Sequence, residues 1–330
     1  MTAAPASGPR PLGIVGLGLI GGSIARAVAP DGPVVAVDAA VREAPGIELV
    51  DSIGELCARH PWLIVVATPL RAMPAVFAEL DAAVDAETTL ADVASVKGPL
   101  LAQLDELLPR SRGQYLSLHP MAGTEFSGFS HSAPDLLTGA PWAVVPAPWG
   151  IAPERLLQVV AWLCSRFSAR VHPLPAPAHD AAVALISQFP HVLANTLLAL
   201  AGRSPAAAVA LGLAAGSFRD GTRVAGTATA RTEAMVLDNA TAVIPLLEAA
   251  AASLQDTAAE LRHGRPGNIF PEAEATRAHR GPTVARPYRL RADLPAVEGL
   301  LELGRSGGWI TSAAPAAEGW LLQTQVPTAG

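Results

Sequence analysis

The chain has 330 residues, 50% hydrophobic and 16% charged, with a formal net charge of -6. That length suits two domains and an extension, and the apolar content excludes disorder over most of the chain. The acidic balance provides no basic field for nucleic acid, and two isolated cysteines, Cys57 and Cys164, exclude a disulfide scaffold and a zinc site, so no metal is expected.

Residues 1–10 form a leader, expected to be disordered, with no apolar stretch of signal-peptide length. From Pro11 to about Pro146, short β-rich runs (Leu12–Val15, 34–38, 63–67, 89–93, 115–118 and 142–145) alternate with helical or turn segments. This alternation predicts an α/β fold with a Rossmann-type doubly wound sheet over 11–150. From Pro153 the texture changes to alanine- and leucine-rich segments of helical spacing: Pro153–Phe167, 178–201, 206–215 and 230–262. They predict an all-helical domain over 151–264. Helices apolar around much of their circumference need burial on several sides, so a homodimer through this domain is expected. The longest apolar stretch, 181–202, is broken by Ser187, Gln188, Pro190, His191 and Asn195, so a cytoplasmic protein without a membrane partner is expected. Residues 265–284 read as a polar linker. A small α+β extension of β-α-β-β form follows over 285–330, with pieces at 288–291, 294–303, 309–312 and 319–326.

Directly after the first apolar run stands G-L-G-L-I-G, in which Gly16, Gly18 and Gly21 surround Leu19 and Ile20 and lead into a helical stretch. Glycine permits the sharp strand-to-helix turn and lets the backbone approach a pyrophosphate held at the helix N-terminus. Asp38 ends the second run about 20 residues later, where a carboxylate can bind ribose hydroxyls and would repel a 2′-phosphate. NAD is therefore favoured over NADP, although Arg42 is close enough in sequence to soften the preference. Thr68 and Pro69 end a third run at the sheet's carboxyl edge, where ligands bind in open α/β folds.

Four further segments, A-D-V-A-S-V-K-G at 91–98, S-L-H-P-M-A-G-T-E-F-S-G at 117–128, S-Q-F-P-H at 187–191 and F-R-D-G-T-R at 218–223, follow the fingerprint. In order and approximate interval they resemble the prephenate and arogenate dehydrogenase family, over about residues 11 to 262. The resemblance implies an NAD-dependent enzyme of tyrosine biosynthesis that oxidises and decarboxylates a cyclohexadienol. It implies His119 as the catalytic base, suited to taking a hydroxyl proton near neutral pH, with Ser95 beside the same hydroxyl. It further implies that Arg223, His191, Ser187, Gln188 and Thr124 bind the doubly anionic substrate, the arginine by bidentate contact with a carboxylate. Gln188 stands where some relatives carry a histidine, and Thr232 or Glu233 where many carry a tryptophan, which leaves prephenate and arogenate both open. Lys97, the only lysine among 23 basic residues, would lie in or beside the cleft. Two rival readings are a β-hydroxyacid dehydrogenase, which would supply a catalytic lysine from the helical domain where this chain has none, and a non-catalytic NAD-binding regulator, which would not need His119, Ser95 and Arg223 together.

Overall fold

The computed structural model describes residues 9–124, 126–278, 283–290 and 296–327. Residues 1–8 of the predicted leader, 279–282 of the predicted linker, and 291–295 and 328–330 of the predicted extension lie outside the described residues. The described residues divide into two compact units, one made of those up to Ala176 together with those between Val284 and Val326, the other of those between Pro177 and Thr283.

In the first unit the described strands are β1 (Leu12–Val15), β2 (Val34–Val37), β3 (Glu48–Leu49), β4 (Leu63–Val66), β5 (Thr89–Asp92), β6 (Tyr115–Pro120), β7 (Pro141–Pro146), β8 (Arg170–Pro173), β9 (Thr283–Leu290), β10 (Trp309–Ala316) and β11 (Gly319–Pro327). They form one sheet in the order β3-β2-β1-β4-β5-β6-β7-β8-β10-β11-β9. β1 to β6 are parallel, with Leu12 opposite both Val34 and Leu63, and Leu63 opposite Thr89. The order reverses at β1, which has β2 on one side and β4 on the other. Such a reversal opens a crevice at the carboxyl edge.

β1, β4 and β5 are buried along their whole length because both faces of the sheet are covered, the condition that short continuous apolar runs satisfy. Leu12, Ile14 and Val65 share a core layer with Ile24 of helix Leu19–Val28 and with Leu156, Val160 and Phe167 of helix Pro153–Phe167. Ile64, Val66, Leu90 and Tyr115 face the opposite layer with Phe77, Leu80 and Leu104.

Several elements differ from the sequence reading. Arg10, assigned to the leader, is fixed by donating to the carbonyls of His60 (2.8 Å) and Pro61 (2.9 Å). Helix Pro153–Phe167 and β8 belong to the first unit, not to a domain beginning at 151: the helix's apolar stripe is completed by the sheet. The extension has the expected β-α-β-β order, with its helix at Ala296–Arg305, but it is not a separate module. β10 pairs with β8 through Ile310 and Val171, and Gly304 lies so close to β8 that a Cβ there would fall 1.6 Å from the Pro173 carbonyl oxygen.

Described residues 177–264 are helical apart from their turns, as expected, though two long helices are interrupted. The stretch 178–201 contains a π-helical turn, Ala184–Gln188, just before Pro190, whose missing N–H cannot continue the regular ladder. The stretch 230–262 breaks at Asp238–Asn239, where Thr229–Leu237 meets Ala240–Arg262 at 97°. The predicted linker holds a helix, Ile269–Ala278.

The seam between β8 and β10 contains His172, its ring 5.6 Å from that of Trp309. Burial and the Arg170 charge push its pKa down to about 4, against a weaker opposing bond with the Gly308 backbone. The unfolded chain therefore takes up this proton more readily than the folded one. The contribution of His172 to stability is complete above about pH 6.5 and declines as the pH falls from there towards 4. Lowering the pH from 7 to 5 should cost about 2 kcal/mol at this residue. Thermal unfolding of wild type and His172→Gln at both pH values checks it: the loss of stability on acidification should be smaller by about 2 kcal/mol in the variant, and an equal dependence in both proteins would contradict the assignment.

Candidate active site

The loop after β1 is shaped by backbone contacts that only glycine permits. Gly16 has φ +96°, and a Cβ on it would lie 3.0 Å from the Ala67 and Thr68 backbone. A Cβ on Gly21 would lie 2.0 Å from the Gly16 carbonyl oxygen, so the start of helix Leu19–Val28 is seated against the loop itself. Gly18 differs: a Cβ there would meet nothing within 4 Å. The space before Gly18 is open, and among the described residues no side chain caps the helix. Free helix N–H groups beside an unobstructed glycine fit a cofactor's pyrophosphate. Leu19 is buried and Ile20 half-buried behind them.

Asp38 follows β2 and ties this loop to its own turn. Its Oδ2 accepts from the Leu17 N–H (2.7 Å), and its Oδ1 from the N–H groups of Ala40 (2.7 Å) and Val41 (2.9 Å). Partial burial acts to raise its pKa, but these backbone donors and the Arg42 charge outweigh it and hold the carboxyl below its usual 3.8. Asp38 and Arg42, with Ala39, Val41, Leu49 and Asp51, line an open cavity of about 360 Å³. A fixed anion at the mouth of such a cavity suits ribose hydroxyls. At the end of β4, Thr68 Oγ1 is buried without a hydrogen-bond partner among the described residues, and Pro69 next to it is exposed. An orphaned hydroxyl on the ligand-binding edge fits a group supplied by a bound molecule.

Ser95 and His119 arrive at the same edge from adjacent strands. β5 pairs with β6 through Asp92 and Ser117, so the loop after Asp92 carries exposed Ser95 beside half-buried His119 at the end of β6. Alternation along β6 puts Tyr115, Ser117 and His119 on one face. Beyond β6, the Phe126 N–H bonds Thr124 Oγ1 at 3.2 Å. The following segment is locked onto helix Leu19–Val28: Arg26 lies 4.3 Å over the Phe129 ring and donates to Ser132 Oγ at 2.9 Å. Lys97, which the sequence places in or beside the cleft, does not open into one. It is fully buried, 2.8 Å from Asp92 Oδ1 and 2.6 Å from the Leu118 carbonyl oxygen.

The second unit gathers another set. Half-buried Ser187 and buried Gln188 lie in the π-helical turn, and His191 lies in the first turn of the next helix. The His191 Nδ1 faces the Ser187 carbonyl oxygen at 2.9 Å, which requires an N–H there and, in the neutral ring, leaves Nε2 as the acceptor, 3.4 Å from the Thr227 hydroxyl. The turn Arg223–Gly226 packs against the helix Phe189–Arg203 that carries His191, and Arg223 itself is exposed, as is Arg219. Gln188 Oε1 accepts from Asn239 Nδ2 at 2.8 Å, and the same amide donates to the Asp180 carbonyl. Sequence reasoning missed Asp92, Tyr115, Ser117, Thr227 and Asn239. Only Asp92, a carboxylate closing the apolar strand T-L-A-D, offered a signal.

The chain matches two family models, described as prephenate dehydrogenase, nucleotide-binding domain, over residues 36–172 and prephenate dehydrogenase, dimerization domain, over residues 175–271. It is 31% identical over 252 residues to the cyclohexadienyl dehydrogenase of Zymomonas mobilis, covering 72% of this chain and 83% of that one. It is 27% identical to the prephenate dehydrogenase of Bacillus subtilis over 68% of its own length, spanning 63% of that longer protein. Among solved structures, a putative prephenate dehydrogenase from Corynebacterium glutamicum aligns with TM-score 0.77 and 28% identity, covering 91% of this chain and 98% of that one. The prephenate dehydrogenase of A. aeolicus, solved with hydroxyphenyl propionate and NAD+, shares the fold with TM-score 0.70 at 22% identity, covering 82% of this chain and 96% of that one.

The two glycines should separate binding from folding. Gly18→Ala should leave stability within about 0.5 kcal/mol of wild type while weakening dinucleotide binding at least tenfold, on the order of 1.4 kcal/mol. Gly21→Ala should lower stability by about 1–3 kcal/mol through overlap with the backbone. Thermal denaturation and cofactor titration of both variants measure this, and equal effects on stability would contradict the loop geometry.

Proposed function

Because the chain belongs to the prephenate dehydrogenase family, we propose that it converts prephenate to 4-hydroxyphenylpyruvate, or arogenate to tyrosine, with hydride transfer to NAD, as a cytoplasmic homodimer of tyrosine biosynthesis. The observation that carries this reading is the placement of Ser95 and His119 on neighbouring strand ends, on the sheet edge that also bears the open glycine loop. Bound NAD would supply the hydride acceptor. Gly16, Gly18, Leu19, Ile20 and Gly21 would hold its pyrophosphate, Asp38 its adenosine ribose, and Thr68 and Pro69 the edge beside them. Asp38 favours NAD over NADP, since a fixed carboxylate repels a 2′-phosphate.

His119 takes the proton from the ring hydroxyl as hydride leaves the same carbon, and Ser95 hydrogen-bonds that oxygen. The ring carboxylate then leaves as carbon dioxide, its electrons flow into the developing ring, and aromatisation makes the step irreversible. The protein's work is orientation and charge complementarity rather than covalent catalysis. Arg223 is assigned to a substrate carboxylate, with His191, Ser187 and Thr124 completing recognition of the substrate, while Gln188, buried against Asn239, supports the turn that carries Ser187. Dimerisation is supported by the apolar side chains that the second unit exposes, including Leu193, Leu197, Leu198, Leu200 and Leu213.

Purified protein should form NADH with prephenate, arogenate or both, and NADH formation with neither would reject the reading. His119→Asn should lower kcat by about 10²–10⁴-fold with NAD affinity little changed; retained turnover would remove His119 from the mechanism. Arg223→Ala should act mainly on KM for the substrate, raising it about tenfold or more for the loss of a charge-assisted contact. An unchanged KM in steady-state assays would remove Arg223 from carboxylate binding.

A further inference from the structure

Beneath the sheet edge lies a buried polar cluster that the proposed reaction does not use. Asp92 and Lys97 are both fully buried. Asp92 Oδ1 accepts from Lys97 Nζ at 2.8 Å and from the Ala94 N–H at 2.7 Å, while Oδ2 accepts from the hydroxyls of Tyr115 and Ser117. Lys97 Nζ also donates to the Leu118 carbonyl oxygen at 2.6 Å. Ala94 immediately precedes Ser95, and Leu118 immediately precedes His119. One ion pair thus grips the backbone next to each of the two residues assigned to the reacting hydroxyl.

Burying a charge pair costs desolvation energy that an apolar pair of similar volume would avoid. Its presence calls for a role other than stability. The cluster is saturated around the carboxylate: four donors converge on Asp92, from β5's own loop, from two β6 side chains and from Lys97. Burial, reinforced by the Asp92 charge, also holds the Tyr115 phenol well above its usual 10, which keeps it a donor. A compact ammonium between Asp92 and a carbonyl 2.6 Å away leaves little room for a planar guanidinium. That explains why a chain with 23 basic residues keeps its one lysine here.

We propose that the Asp92–Lys97 pair is a positioning element that fixes Ser95 and His119 relative to each other by bonding the backbone beside each. Lys97 and Asp92 touch neither cofactor nor substrate and act through the two strand ends. Loss of the ammonium frees the Leu118 carbonyl and leaves Asp92 with one donor fewer, so the edge loses its registration while the surrounding apolar layers remain.

The test uses the full-length enzyme in three variants, Lys97→Met, Lys97→Arg and Tyr115→Phe, followed by NADH formation, cofactor titration and circular dichroism. A displacement of the two residues by about 1 Å predicts a fall in kcat of about 100-fold for Lys97→Met, with KM and cofactor affinity close to wild type. The acid limb of the kcat/KM profile, which reports the base, moves as well, and Lys97→Arg does not restore activity. A folded Lys97→Met with wild-type kcat and pH profile overturns the proposal, as does a loss of kcat matched by an equal loss of cofactor affinity. If Lys97→Met does not fold, Tyr115→Phe decides, since it removes one of the two β6 hydroxyls that tie the Asp92 carboxylate to that strand and so loosens the pair's grip on the edge. A kcat reduced about fivefold at constant KM supports positioning, and an unchanged kcat overturns it. The inference rests on His119 as base, and the two can fail separately. Should wild type turn over neither prephenate nor arogenate, the functional reading falls alone. The pair is then judged by the NMR signal of the His119 ring Cε1–H, assigned with His119→Asn: displacement in Lys97→Met supports it, and an unmoved signal overturns it.

Discussion

Parallel pairing of β1, β4, β5 and β6 in matched register sends four strand ends to one edge of the sheet. The glycine loop, Thr68, Ser95 and His119 all depend on that edge, since each is the residue or loop at which one of these strands stops. The register itself is held by side-chain layers on both faces, so the edge is as rigid as the core beneath it. A reacting group placed this way needs few contacts of its own. Its position is inherited from the sheet.

Two carboxylates at this edge illustrate how environment divides roles between like residues. Asp38 is partly exposed, its oxygens held by three backbone N–H groups beside an open cavity, and is available to a ligand. Asp92 is sealed inside and fully engaged by Lys97, Tyr115, Ser117 and Ala94. The first can bind something that arrives, whereas the second can only hold what is already there.

Legibility in the sequence followed the range of the interaction. The G-L-G-L-I-G loop was readable because its demands are local: Gly16 needs a positive φ, and Gly21 contacts a carbonyl five residues away. The positions of Asp38, Ser95 and His119 at or just beyond strand ends followed from the apolar runs that precede them, whereas the roles given to Ser95 and His119 came from the family resemblance. Partnership across long separations was not readable. The stripe of helix Pro153–Phe167 says that it is buried but not against what, and β8, containing Arg170, His172 and Pro173, is too polar to declare itself a strand. The extension looked independent because its pairing partner on β8 is 139 residues away in sequence, from Val171 to Ile310. Within the site, Gln188 was read as a substrate ligand from its neighbours in a motif, yet its side chain is buried against Asn239, 51 residues on. Lys97 was noticed for its rarity, but its partners could not be inferred, because nothing in a sequence states that an ammonium will point inward.

The most direct measurement of the central claim is a crystal structure of the enzyme with NAD and a substrate analogue that retains the ring hydroxyl. A ring nitrogen of His119 should lie within hydrogen-bond reach of that hydroxyl, about 2.6–3.2 Å, with Ser95 Oγ on the same oxygen and the nicotinamide facing the carbon that bears it. A bound analogue whose hydroxyl meets another base, with the His119 imidazole turned away from it, would contradict the account.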